Sequence, residues 1–88
     1  MHEHALMENL MQKIASIAAQ NGAGRVTGVR VWLGALSHFS EGHFREHFDV
    51  AAKGSCAEGA ELTMELSEDE QDPRAQDVIL QAIEVDDG

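Results

Sequence analysis

The chain has 88 residues, 43% of them hydrophobic, with six basic against sixteen acidic residues for a net charge of −10. That is enough for one domain, 1–88, which buries only roughly 60–65% of the surface its unfolded chain exposes. The negative excess repels phosphate backbones and anionic lipid, excluding nucleic acid and membrane as partners, and with no apolar run of roughly 18 residues and no basic leader the expected location is cytoplasmic.

The first four residues are Met1-His2-Glu3-His4. A free α-amine, a deprotonatable backbone amide and an imidazole can close adjacent chelate rings on one metal ion. A planar, nitrogen-rich donor set suits Ni(II) or Cu(II) better than Mg(II) or Ca(II). The same residues also fit a solvated terminus or the remnant of a tag. From Ala5 to about Gln20 apolar residues recur at Leu6, Leu10, Ile14, Ile17 and Ala18, with Met7 and Met11 flanking. This spacing predicts an amphipathic helix that stops at Asn21-Gly22-Ala23-Gly24. Arg25 to Leu33 reads as a strand, with Thr27, Val29, Val31 and Leu33 on one side and Val26, Gly28, Arg30 and Trp32 on the other.

Gly34 to His38 is a turn, and Ser40 is an N-cap across which Phe39 can pack on Phe44. The helix that follows runs to about Lys53, buries Phe44, Phe48, Ala51 and Ala52, and ends at Gly54. Glu61 to Leu66 alternates as a strand with Ala60, Leu62, Met64 and Leu66 inward. Ser67 to Asp77 is acidic, contains the only proline and reads as a mobile loop. Val78 to Val85 is the last strand. The order α-β-α-β-β predicts an α+β fold: a mixed three-stranded sheet, its first two strands parallel and its last pair antiparallel, with two helices on one face. Trp32 on the open face is then a contact for a partner or for a second copy in a homodimer, or an isolated exposed aromatic.

The terminal Met1-His2-Glu3, the helix ending near Gly22, the strand closing in Leu33-Gly34-Ala35-Leu36-Ser37 and the segment Gly54-Ser55-Cys56-Ala57-Glu58-Gly59-Ala60-Glu61-Leu62 occur together and in this order. In this the chain resembles the HypA/HybF family of nickel metallochaperones for hydrogenase maturation. The resemblance implies Ni(II) held by the Met1 amine, the His2 ring and the backbone nitrogens of His2 and Glu3. It also implies a hydrogenase-maturation GTPase or a nickel-enzyme precursor as partner. One departure stands out. The family carries a zinc module with two Cys-x-x-Cys pairs between the last two strands, and here that place holds the acidic loop 67–77. With Cys56 as the only cysteine, no structural zinc is expected.

His4 is either an extra ligand or a first-turn residue of the helix, and His38 in the turn is a further candidate. His43-Phe44-Arg45-Glu46-His47 matches the H-x-x-E-H pattern of inverted zinc proteases. A protease would need a third protein ligand and a cleft, so His47 is expected as a half-buried core residue and His43 as a solvated one, or the two as an accessory metal site. Cys56 has no neighbouring cation to lower its pKa and is expected to be inert. The expected function is therefore that of a nickel carrier and not an enzyme. The alternatives are a metal-independent interaction or regulatory module on the same scaffold and a small metallohydrolase built on His43, Glu46 and His47.

Overall fold

The computed structural model describes residues 3–22 and 24–86, with side chains from Ala5 onward. Its elements are α1 (Glu3–Gln20), β1 (Val26–Leu33), α2 (Glu41–Ala52), β2 (Glu61–Leu66) and β3 (Val78–Val85). The strands lie in the order β2-β1-β3, with β1 parallel to β2 as expected, but the antiparallel partner of β3 is β1 and not β2: the segment after β2 carries the chain past the end of β1 to its other edge, so the expected pair of the last two strands does not form. α1 packs against α2 and β3, and α2 against β2, so both helices cover one face of a mixed sheet.

Local sequence accounts for the element ends. Gly22 takes a positive φ of 68° just beyond α1, a conformation that glycine adopts without a Cβ penalty. At α2 the Ser40 hydroxyl accepts a hydrogen bond from the His43 amide at 3.1 Å, satisfying one of the orphan donors of the first turn. The Phe39 and Phe44 rings meet edge to face at 5.3 Å across that cap.

The core is built from Met7, Leu10, Ile14 and Ala18 of α1, Val29, Val31 and Leu33 of β1, and Phe44, Phe48 and Ala52 of α2, with Leu62 of β2. Four further expectations need correction. On α1 the buried row runs through Met7, while Ile17 stands 36% exposed: the stripe keeps to 7, 10, 14 and 18, and Ile17 falls on its outer flank. On β1 Val29, Val31 and Leu33 face inward as expected, but Thr27 does not. A register shift between Val26 and Gly28 inserts an extra residue, so Val26 turns fully inward and Thr27 is exposed. Leu66, expected inward, is 45% exposed, because it ends an edge strand where the chain turns away at Ser67.

The fourth correction concerns the acidic segment 67–77, which is not a free loop. The Gly34 amide donates to the Asp77 carbonyl at 2.9 Å and the Leu36 amide to the Ala75 carbonyl at 2.7 Å, docking the segment on the end of β1. Ala75 is 4% exposed. Asp69 and Asp72 carboxylates accept from the Gln71 and Arg74 amides at 2.9 and 2.8 Å, so these acids fold the backbone into consecutive turns instead of solvating it. The Arg74 guanidinium sits 5.5 Å from the centre of the Trp32 ring, half covering the aromatic expected to be open.

Candidate metal centre

Connectivity brings the start of α1, the connection that carries His38 and the first turns of α2 to one end of the described structure. Leu6 and Leu10 of α1 border a groove with Val78 and Leu80, the β3 partners of Leu33 and Val31, whereas Ile17 borders one with Val85, the partner of Val26. α1 thus begins at the C-terminal end of β1 and finishes at its N-terminal end. α2 follows β1 through the Gly34–Ser40 connection, so its first turn lies at that same end. The docked segment 67–77 is there too, tied to Gly34 and Leu36 and, through the Ser67 amide, to the Leu33 carbonyl at 2.9 Å.

Met1 and His2, the centre of the sequence-derived ligand set, lie outside the described residues, and Glu3 and His4 are described only as the opening residues of α1. That opening matters chemically. The first four N–H groups of an α-helix have no intrahelical acceptor, so an amide at Glu3 can be given up to a metal without breaking a helical hydrogen bond. Deprotonated amides also carry negative charge, which the positive end of the helix dipole favours.

His38 is exposed and holds a φ of 68°, the one described non-glycine residue in the left-handed region. Among the described residues it makes no hydrogen bond or ring contact with His43 or His47. Cys56 is half-buried against the core, and its carbonyl accepts from the Val26 amide at 2.8 Å, which is a structural place and not a reactive one. Among the described residues no group of three or more His, Cys, Asp or Glu converges as a metal cage.

The pair that does come together is His43 and His47. Their Nε2 atoms stand 2.8 Å apart and their ring centres 4.6 Å apart, with the Phe39 ring 5.4 Å from His43 and 6.4 Å from His47. Both are half-buried, so His43 is not the solvated residue expected of it. Glu46, the remaining member of the protease-like pattern, is exposed. The helical four-residue spacing made the proximity of the two rings legible; the ring-to-ring bond and the Phe39 wall were not, because they depend on the backbone entering the Ser40 cap.

A small α+β domain with both helix starts at one end of a three-stranded sheet is the class that the fold defines. Comparison with known proteins makes the class specific: the HypA family, described as hydrogenase/urease nickel incorporation, metallochaperone, matches residues 1–72, and the chain belongs to that family. It is 44% identical over 62 residues to the hydrogenase maturation factor HybF of Salmonella typhimurium, covering 70% of this chain and 55% of that one. It is 40% identical over 70 residues to the hydrogenase maturation factor HypA of Escherichia coli K12, covering 80% and 60%. The chain thus spans little more than half the length of these relatives. In fold it is similar to the Ni metallochaperone HypA from Helicobacter pylori, with a TM-score of 0.81 at 17% identity over 97% of each chain. Among the described residues no helix is long and apolar enough to cross a membrane.

Proposed function

We propose that this chain is a nickel-handling maturation factor that carries Ni(II) on its N-terminus and has no catalytic activity of its own. The donors are the Met1 amine, the His2 imidazole and the backbone nitrogens of His2 and Glu3, with His4 and His38 as outer candidates. The observation that carries this reading is the Met-His-Glu terminus, inside the family-matched residues 1–72, running directly into the helix that opens at Glu3. There the first-turn amides lack helical acceptors, and a planar set of four nitrogens matches the geometry Ni(II) favours.

A carrier must also release its ion. A terminal chelate does so readily, since its amides reprotonate as pH falls and a partner can displace one donor at a time. The recipient in this reading is a cytoplasmic hydrogenase-maturation GTPase or nickel-enzyme precursor. It docks near the exposed outer face of α1 bearing Glu8, Gln12 and Lys13, and presents basic residues to a chain of net charge −10. The chain holds no structural zinc in this account, because one cysteine cannot make a four-thiolate cage, and the docked segment 67–77 supplies order where the zinc module would stand.

Calorimetric titration with NiCl2 tests the reading. The wild-type chain binds one ion tightly, and both His2→Ala and a single glycine placed before Met1 weaken that event strongly. Unchanged affinity in both variants would show that the terminus does not hold the ion, and no saturable binding even in the wild-type chain would leave the metal-independent interaction module as the better account.

A further inference from the structure

The His43–His47 pair is left over once the terminal chelate has been assigned, and its geometry is specific. Two nitrogens bound to one transition-metal ion at roughly 2.0–2.1 Å lie about 2.9 Å apart when they occupy adjacent corners of a square plane or octahedron, and about 3.3 Å apart in a tetrahedron. The observed Nε2···Nε2 separation is 2.8 Å. Two imidazole lone pairs cannot face each other at that distance with nothing between them. Either a proton or a metal ion must bridge them.

We propose that His43 and His47 form a second, weaker site for a divalent transition-metal ion such as Ni(II), bound through both Nε2 atoms at adjacent right-angled positions. It is independent of the terminal chelate. Three features hold the chelate ready. The four-residue spacing puts both rings on one helical face. The Ser40 cap fixes the first turn that carries His43. Phe39 backs both rings. Little rotamer freedom remains to be lost on binding, which is what preorganisation contributes to affinity. In the metal-free chain one Nε2 carries the hydrogen that the other accepts. When the ion enters, both rings take the Nδ1–H tautomer, and a neutral pair releases no net proton. Water or a ligand from a receiving protein would fill the remaining coordination positions. Since α1 and α2 both start at the C-terminal end of β1, the pair lies at the end of the molecule where α1, the helix that carries the terminus, begins.

The test is NiCl2 titration of the full chain carrying His2→Ala, followed by equilibrium dialysis and by the imidazole resonances of the metal-free and loaded protein. One ion per chain is expected, with paramagnetic broadening confined to His43 and His47. Adding His43→Gln and His47→Gln should weaken that ion by roughly tenfold or more, at least what loss of an outer-shell partner costs in other metal sites. The resonance measurement needs no change at the pair itself, so a folding defect in the double variant would not decide the matter. No saturable binding in the His2→Ala chain, or binding that broadens only His38, would overturn the proposal. Failure of the terminal chelate looks different: wild type would then bind one ion only, lost with His43→Gln and His47→Gln and indifferent to His2→Ala.

Discussion

Gly34→Ala probes the docking of segment 67–77 directly. A Cβ built at Gly34 would run into the Ala75 carbonyl oxygen and stand 2.8 Å from the Arg74 carbonyl oxygen, both backbone atoms that cannot swing aside. The cheapest response is for the segment to leave the end of β1, which caps the loss at the value of the docking contacts. Those are the Gly34–Asp77 and Leu36–Ala75 hydrogen bonds and the Arg74–Trp32 stack. At about 1 kcal/mol net per hydrogen bond and about 0.5–1 kcal/mol for the cation–π contact, the loss is about 2–3 kcal/mol. That is a large share of the roughly 4–13 kcal/mol expected for a chain of this length. With a urea slope of about 1 kcal/mol/M, at the lower end for small proteins, the midpoint should fall by about 2–3 M. Trp32 is the only tryptophan, so undocking also shows as a red shift of its emission in the folded baseline. An unchanged midpoint together with an unchanged spectrum would refute the docked segment as a structural element.

Other expectations follow from the same contacts. Ser40→Ala removes the acceptor of the His43 amide and should lower stability by about 1 kcal/mol in denaturant unfolding, with Ser40→Thr restoring most of it. Phe44→Ala, at a side chain with no solvent exposure, should cost about 3–5 kcal/mol and leave little folded protein by circular dichroism at room temperature. Dialysis against a strong chelator should change neither the far-ultraviolet spectrum nor the thermal midpoint; cooperative unfolding on chelation would mean a structural metal that this account lacks. Association with the receiving protein should weaken as salt rises toward and beyond physiological strength, where exposed charges are screened beyond about 8 Å, and salt-independent binding would argue against a basic docking face.

The sequence carried the element order, the helix ends and the parallel β1–β2 pair because these rest on local signals: the Ser40 cap, the Gly22 stop, the alternation of Leu62 and Met64, and a connection containing a helix between β1 and β2; it did not carry the pairing of β3 with β1 in place of β2. What it did not carry is non-local. The register shift that turns Val26 inward depends on pairing with β3, and nothing at Val26 or Thr27 marks it. Segment 67–77 looked mobile because acids and a proline usually solvate. Here Asp69 and Asp72 bind neighbouring amides, and a glycine at position 34 leaves room for Ala75, a fit visible only with both segments in place. The proposed terminal chelate rests on the chemistry of Met1, His2 and Glu3 in the sequence, and Met1 and His2 lie outside the described residues. The His43–His47 pair was legible as a spacing, and its 2.8 Å contact emerged only in three dimensions.

The number of protons released per Ni(II) bound tests the terminal chelate most directly. Calorimetry of the wild-type chain near pH 7.5, repeated in buffers of different ionisation enthalpy, counts them. Two amide protons, most of one α-amino proton at a reference pKa of about 7.7–8.0 and a small fraction of an imidazole proton at about 6.5 give roughly 2.5–3 for the tight event. Fewer than one proton per ion, unaffected by a residue added before Met1, would mean that the nickel sits on side chains elsewhere and that the terminus is not the site.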